Sequence, residues 1–208
     1  MFGLFNHDKE YFTRGHTPIG GIDEAGRGPL AGPVVAACVV LPEDFYIEGL
    51  NDSKKLSVVQ RDRVFLQLLY NTAVHIGVGM ATNEEIDRFN ILNATRLAMK
   101  RAVSDVFVKP QLLLIDAVKI KDIGIEQVSI IKGDEKSASI AAASVVAKVV
   151  RDSIMSAYHK RYPQYGFIRH KGYGTKEHVL NIREHGPCEI HRMTFAPVAG
   201  LKEKTLPL

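Results

Sequence analysis

The chain has 208 residues, 46% of them hydrophobic and 24% charged. That is the composition of a soluble globular domain, and it excludes a disordered or low-complexity chain. A formal charge of +4 and a pI of 9.0 permit a polyanionic partner without demanding one. Two cysteines offer no disulfide framework, Met1–Glu10 lacks the apolar core of a secretory signal, and the apolar runs are too short to span a bilayer, so a cytoplasmic protein with no membrane partner is expected.

Residues 1–18 show no clear period and read as a loose lead-in. Ile19–Asp23 reads as a strand and Val34–Leu41, eight apolar residues in a row, as a second. The short Gly- and Pro-rich link between them predicts antiparallel pairing. Pro42–Leu56 is a loop carrying Asn51-Asp52-Ser53-Lys54-Lys55. Ser57 and Gln60 form a capping box that opens a helix to about Tyr70, with Val64, Phe65, Leu68 and Leu69 as its inner face. Val74–Ala81 alternates as a third strand. Thr82 with Glu85 is a second capping box before a short helix. A longer helix runs from about Ile91 to Val106, with Leu92, Thr95, Leu97, Met99 and Val103 along it.

Pro110 ends that helix. Gln111–Ile115 reads as a buried parallel strand delivering Asp116 at its end, and Ile125–Ile131 as a fifth strand. Asp134 opens a long helix to about Tyr158, rich in small residues that allow close packing on the sheet. After Pro163 comes a glycine-rich basic loop, Tyr165–Thr175, and Thr175 caps a further helix to about Glu184. The remainder is irregular or weakly helical. Three strands, then helices, then strand and helix in alternation describe an α/β chain: a mixed sheet with helices on its faces. The division that follows is a lead-in over 1–18, a core over 19–158, and a basic loop with helical extension over 159–208.

Four acids stand at element boundaries: Asp23 and Glu24 after the first strand, Asp116 after the fourth, and Asp134 at a helix start. Ligands of such sheets sit at strand ends. Four carboxylates meeting there repel unless a cation shares the site, and oxygen donors of this kind suit Mg²⁺ or Mn²⁺. Two such ions about 4 Å apart support in-line attack of water on a phosphodiester. Asp134 equally suits a helix N-cap and Asp116 a strand-end turn. Neighbouring strand residues face opposite ways, so Asp23 and Glu24 share one site only if the strand ends there, which the glycines after them suggest.

Gly26-Arg27-Gly28-Pro29-Leu30-Ala31-Gly32 does not fit the dinucleotide fingerprint, because its third glycine is one place late and a strand follows. It reads either as a tight strand-to-strand turn or as a turn whose amides and Arg27 touch a sugar-phosphate backbone. Asp52-Ser53-Lys54-Lys55 is a solvated loop or a phosphate contact. Residues 159–176 carry seven basic or histidine side chains and no acid. Around Tyr173, a candidate for stacking on a base or sugar, they interleave basic and aromatic residues as nucleic-acid surfaces do. Five of the eight histidines lie in 159–191. They lack the spacing of a zinc site and read as surface or hydrogen-bonded histidines.

The run Ile22-Asp23-Glu24-Ala25-Gly26-Arg27-Gly28-Pro29-Leu30-Ala31-Gly32-Pro33-Val34-Val35 resembles the motif of ribonuclease HII, the type 2 ribonuclease H family. Asp52-Ser53-Lys54-Lys55-Leu56-Ser57, Ile115-Asp116, Lys132-Gly133-Asp134, Ser139–Ser144, Ala147-Lys148-Val149, Arg151-Asp152, His170–Thr175 and His191–Val198 resemble its later blocks in order, from about Gly20 to Val198. The resemblance implies a ribonuclease H-like mixed five-stranded sheet flanked by helices, with a helical C-terminal extension. It implies endonucleolytic cutting of RNA in RNA/DNA hybrids and at single ribonucleotides in duplex DNA, leaving 5′-phosphate and 3′-hydroxyl ends. By position, Asp23, Glu24, Asp116 and Asp134 are implied as catalytic, metal-binding carboxylates for two ions. Gly26, Arg27 and Gly28 are implied to read the 2′-hydroxyl at the RNA-to-DNA junction, and Tyr173 to stack on the following deoxyribose. Ser53, Lys54, Lys171 and Arg192 complete the implied substrate contacts. A monomer is expected. Some relatives end in a sliding-clamp peptide; Gly200–Leu208 lacks its aromatic pair, so no clamp partner is expected. A hybrid-binding module without turnover, and a DNA nuclease of the same fold, are the alternatives.

Overall fold

The computed structural model describes residues 3–202, and of Gly3, Leu201 and Lys202 the backbone alone. Five strands form one sheet in the order β3-β2-β1-β4-β5: β1 is Ile19–Ala25, β2 Val34–Val40, β3 His75–Ala81, β4 Leu112–Asp116 and β5 Glu126–Ile130. The first three strands pair antiparallel, as the short link between the first two dictates, and β4 joins β1 and β5 in parallel. This is the mixed five-stranded sheet flanked by helices that the sequence pattern and the resemblance imply.

Side-chain alternation sorts the strands between two layers. On one face Ile22, Val34, Ala36, Cys38, Leu113 and Ile115 pack against α4 (Ile91–Asp105) and Ile86 of α3 (Asn83–Phe89). On the other, Ala37 and Val39 meet the alanines of α5 (Ala138–Arg161) and Val64 and Leu68 of α2 (Val58–Tyr70). Every residue of β2 is therefore buried, which is why its run is continuously apolar. Both capping boxes form: Ser57 and Gln60 exchange bonds at α2, Thr82 and Glu85 at α3.

Several expectations need correction. Residues 1–18 are not a loose lead-in, since Gly3–Thr13 is a helix, α1. Leu4, Phe5, Asp8, Tyr11 and Phe12 share one face at helical spacing. The aromatic and aliphatic members pack on the sheet-and-α5 side, and the buried Asp8 carboxylate accepts the Ser139 amide at 2.8 Å. A carboxylate in the middle of the inward stripe hid the period. Asp134 does not open α5. It lies in a 3₁₀ turn, Gly133–Glu135, and Ser137 is the N-cap, accepting from the Ile140 amide. On α2, Leu69 faces solvent and Arg61 takes the inner face with Val64 and Leu68; on α4, Leu92 is outside and Ala94, Ala98 and Ala102 lie inside. Tyr165–Thr175 is not an open loop. It follows on from a turn at Pro163–Tyr165 and contains the short helix α6 (Phe167–His170) and left-handed residues at Gly166, Lys171 and Gly172.

Tyr165 and Phe167 seed a separate small core with Leu30, Ala31, Met155, Ile182 of α7 (Lys176–His185), Ile190 and Val198, the first residue of α8 (Val198–Lys202). Through it the C-terminal segment packs back on the end of α5 and on the link between β1 and β2. Of Gly200–Leu208, residues 203–208 lie outside the described residues, so the clamp-peptide expectation falls there. Among the described residues no helix is long and apolar enough to cross a membrane.

The closest approach in the sheet layer is at Gly21. A Cβ there would lie 2.0 Å from the Ser139 carbonyl carbon and 2.3 Å from the Ile140 amide nitrogen. The whole start of α5, and with it the Asp134 turn, is set at this distance. Gly21→Ala should therefore destabilise the protein by about 2–3 kcal/mol, the cost of overpacking a rigid contact, a loss of roughly 4–10 °C in Tm for a chain of this size. Gly124→Ala, where a Cβ meets nothing within 4 Å, should leave Tm within a degree or two; thermal denaturation of both variants checks the pair.

Candidate active site

β1 does not stop at Asp23 but continues to Ala25, with Asp23 paired to Ala37 and Glu24 to Ala36. By alternation Asp23 faces α5 and Glu24 the opposite layer. Asp116, the last residue of β4, faces the same way as Asp23. The turn before α5 brings Asp134 over both. One carboxylate oxygen from each of Asp23, Asp116 and Asp134 lies within 4.8 Å of the others. Glu24 stands beside this group without belonging to it, a departure from the four-acid convergence expected. The reason is the strand register: two successive strand residues cannot share one face.

The three aspartates differ in their fixings. Asp23 is buried and its Oδ1 accepts the Glu24 amide at 2.7 Å. Burial, then the neighbouring charges of Glu24 and Asp116, raises its pKa well above the usual carboxylate range. Asp116 accepts the Gly133 amide at 2.9 Å, which locks the end of β4 to the Asp134 turn; burial raises its pKa too. Asp134 is buried and receives Lys54 Nζ at 3.1 Å. Glu24 takes Arg27 Nη1 on Oε1 at 3.1 Å, while its other carboxylate oxygen is buried with no partner. Burial raises its pKa, against the pull of Arg27.

Such a set suits a hard divalent cation: three converging carboxylates, two of them buried, with burial penalising the charged forms of Asp23 and Asp116. The orphaned Glu24 oxygen, next to the cluster, is a further donor in waiting.

The loop 51–56 is pinned rather than solvated. Ser53 Oγ lies 2.7 Å from Ser144 Oγ, Asp52 Oδ1 accepts the Lys54 amide, and Arg61 donates to the carbonyls of Ser53 and Leu56. Ser53 is thus buried and holds the loop, a correction to its expected place among substrate contacts. Lys54, with its side chain largely exposed, is carried out over Asp134.

Arg192 is corrected likewise. It is fully buried, and its guanidinium donates to the carbonyls of Gly26, Arg27 and Gly32. It shapes the glycine-arginine-glycine turn from beneath. Burial, and then the charge of Arg151, lowers its pKa to about 9. Lys171 Nζ binds Ser156 Oγ at 3.0 Å. Gly28 and Tyr173 do come together: a Cβ on Gly28 would lie 3.7 Å from Tyr173 Cε1. Tyr173 is 45% exposed.

The family model described as ribonuclease HII matches residues 20–198. The chain belongs to the ribonuclease HII family. Ribonuclease HII of Acetivibrio thermocellus is 56% identical over 189 residues, 91% of this chain and 73% of that one. The Clostridioides difficile protein is 56% identical over 188 residues, 90% and 73% of the two chains. Among solved structures, ribonuclease H2 from Pyrococcus horikoshii superposes with a TM-score of 0.76 at 25% identity, covering 90% of this chain and 98% of that one. Bst-RNase HIII in complex with Mn²⁺ matches at TM-score 0.67 and 18% identity, 90% and 70% covered, a likeness of fold alone. The family makes this chain a ribonuclease H, a hydrolase.

Sequence reasoning missed Ser144, Arg151 and Arg61. Ser144 and Arg151 are seven residues apart on the inward face of α5, and Arg61 continues the Val64–Leu68 stripe, so helical period alone marked all three. Of the histidines read as surface or hydrogen-bonded, His170, His178 and His191 are buried and hydrogen-bonded. His178 Nδ1 lies 2.9 Å from the Tyr173 carbonyl, His178 Nε2 lies 3.1 Å from His191 Nε2, and the Cys188 amide donates to His191 Nδ1. One tautomer set satisfies all of these: both rings neutral, His191 donating to His178 and His178 donating to Tyr173. Burial lowers the pKa of each to about 4, with His178 adding to the shift at His191.

The sign of the resulting pH dependence follows. An unfolded histidine takes its proton near pH 6.5 and these two refuse it until about 4, so their stabilisation is complete above pH 6.5 and is lost as pH falls toward 4. The raised carboxylates work in the opposite sense, so the histidine share is read by difference. Between pH 7 and 4.5, Tm should fall more steeply for the wild type than for His178→Gln; parallel curves would show that the pair does not control acid stability.

Proposed function

We propose that the chain is a divalent-cation-dependent endoribonuclease that cuts RNA in RNA/DNA hybrids and on the 5′ side of single ribonucleotides in duplex DNA, leaving 5′-phosphate and 3′-hydroxyl ends. The observation that carries the reading is the convergence of Asp23, Asp116 and Asp134 within 4.8 Å at the strand ends, on a ribonuclease HII sequence. Bound there, Mg²⁺ or Mn²⁺ would polarise a water and offset charge on the scissile phosphate. Asp23, Asp116 and Asp134 are the holding groups. Glu24, with one oxygen tied to Arg27 and one free, serves the flank toward the leaving oxygen.

Around that centre the chain's own groups bind and orient the strand. The backbone of Gly26-Arg27-Gly28 meets the ribose 2′-hydroxyl, the group that distinguishes RNA from DNA. The turn suits that role because Arg192 absorbs its inward carbonyls, leaving its outer side to a ligand. Tyr173, beside Gly28, takes the next sugar face. Lys54 leaves Asp134 for the phosphate backbone, and Lys171 adds positive charge below Tyr173. The proposed enzyme acts as a monomer in the cytoplasm.

With Mg²⁺, duplexes carrying one ribonucleotide or a full RNA strand should be cut and an all-DNA duplex left intact on a denaturing gel. Cutting of the all-DNA duplex would favour a DNA nuclease, and tight binding without turnover a binding module. Asp23→Asn should lower the cleavage rate at least about 100-fold, the scale of losing a group that organises charge at the reacting centre, while hybrid binding stays within a few-fold. Independently of activity, millimolar Mg²⁺ should raise the Tm of the wild type and not that of Asp23→Asn.

A further inference from the structure

Two turns face the ligand side of the site: the link between β1 and β2, residues 26–33, and the turn 171–174 after α6. They meet directly at one backbone bond, from the Leu30 amide to the Gly172 carbonyl at 2.8 Å. A Cβ on Gly172 would lie 2.7 Å from the Ala31 carbonyl oxygen, so the two backbones are already in contact. Beneath this seam lies Arg151 of α5, 1% exposed. Its Nε donates to the Pro33 carbonyl at 3.0 Å, its Nη2 to Ala31 at 3.2 Å and its Nη1 to Lys171 at 3.1 Å. It thus holds both turns with one rigid planar group. Its Cζ is 5.9 Å from the Tyr173 ring centroid, and a Cβ on Gly26 would fall 2.1 Å from its Nε. Both the 2′-hydroxyl-reading turn and the sugar platform therefore rest on the same guanidinium.

The arrangement is expensive for stability alone. Arg151 makes no ion pair among the described residues, and a buried cation satisfied only by carbonyls is a poor substitute for an apolar side chain of equal volume. Burial lowers its pKa accordingly. What a guanidinium offers there and an apolar group or ammonium does not is three donors at fixed angles. Arg192, by contrast, grips carbonyls of the first turn only.

We propose that Arg151 is a specificity-determining positioning residue: it sets the gap between the Gly26-Arg27-Gly28 turn and Tyr173, and so the preference for a ribonucleotide followed by a deoxyribonucleotide. The proposal rests on the reading of the two turns given under the proposed function. At a ribo-to-deoxyribo step both turns engage neighbouring sugars, and their spacing must match one nucleotide step. In a continuous RNA strand the following sugar is a ribose, Tyr173 loses its preferred partner, and the spacing matters less.

The test compares wild type, Arg151→Lys and Arg151→Gln on a single-ribonucleotide duplex and a full RNA/DNA hybrid, at a temperature below each variant's melting transition. For Arg151→Lys, kcat/KM on the single-ribonucleotide duplex should fall at least about 10-fold, carried by kcat, since a misplacement of about 1 Å is enough for such a loss. On the hybrid it should fall less than about 3-fold, with KM on both substrates nearly unchanged. Arg151→Gln should show the same imbalance; if it does not fold, Arg151→Lys decides. Equal losses on both substrates, no loss on either, or failure of both variants to melt cooperatively would each overturn the proposal, since each leaves Arg151 a merely structural or dispensable group. Absence of metal-dependent cleavage of either substrate by the wild type is a different failure: it removes the proposed function itself.

Discussion

Three carboxylates that would rather be apart are held within 4.8 Å of one another, Asp23 and Asp134 buried and Asp116 half-buried. Like charges so placed repel strongly, and burial strengthens rather than relieves the effect. The fold must therefore supply the force that keeps them together, and each contribution can be named. Parallel pairing of β1 with β4 sets two strand ends side by side. The Gly133 amide on Asp116 ties the second strand end to the turn bearing the third acid. Ser137 caps α5 just after that turn, and Gly21 lets the start of α5 close on β1 without an intervening side chain. The cost of the cluster is met by ordinary backbone structure, and a cation at the centre would change its sign.

The surroundings are organised by hydrogen bonds that face inward. Turns usually satisfy their carbonyls with water. Here the carbonyls of residues 26, 27, 31, 32, 33 and 171 accept from two buried arginines. This fixes a glycine-rich segment whose intrinsic freedom would otherwise blur its shape. Under Tyr173 the same job falls to neutral histidines donating ring to ring and then to backbone. A fully satisfied polar network of this kind specifies one geometry and penalises alternatives.

Much of this was legible before any coordinates. The capping boxes, the alternation of β3, the unbroken apolar run of β2 and the small-residue helix each follow from a local physical preference, and each element forms where that preference places it. Asp116 stands at the end of β4 as its apolar run predicts. What escaped was everything decided by a partner distant in sequence. Asp8 looks like a break in a weak helix until Ser139 is beside it. Arg192 looks like a substrate contact until three backbone carbonyls surround it. Ser53 looks exposed in a polar loop until it meets Ser144. A polar side chain announces that it needs a partner but not whether that partner is water, substrate or the protein's own backbone. The end of β1 differs in kind: glycines suggested a stop at Asp23, yet the strand runs on to Ala25, and alternation turns Glu24 to the face opposite Asp23.

The cations near the site divide into two classes by what they hold. Arg151 and Arg192 are buried, bind backbone and cannot leave without collapsing the turns they support. Lys54 and Lys55 are exposed and rest on carboxylates, Lys54 on Asp134 and Lys55 on Glu135. An exposed pair is weak and exchanges freely with solvent and ions, so these ammonium groups offset the acidic turn without committing it. A long flexible ammonium is a point charge that can swing from carboxylate to phosphate, whereas a guanidinium fixed at three points cannot. Rigid shape on one side and releasable charge on the other is what a site needs if it must hold an empty anionic cluster together and still admit a polyanion.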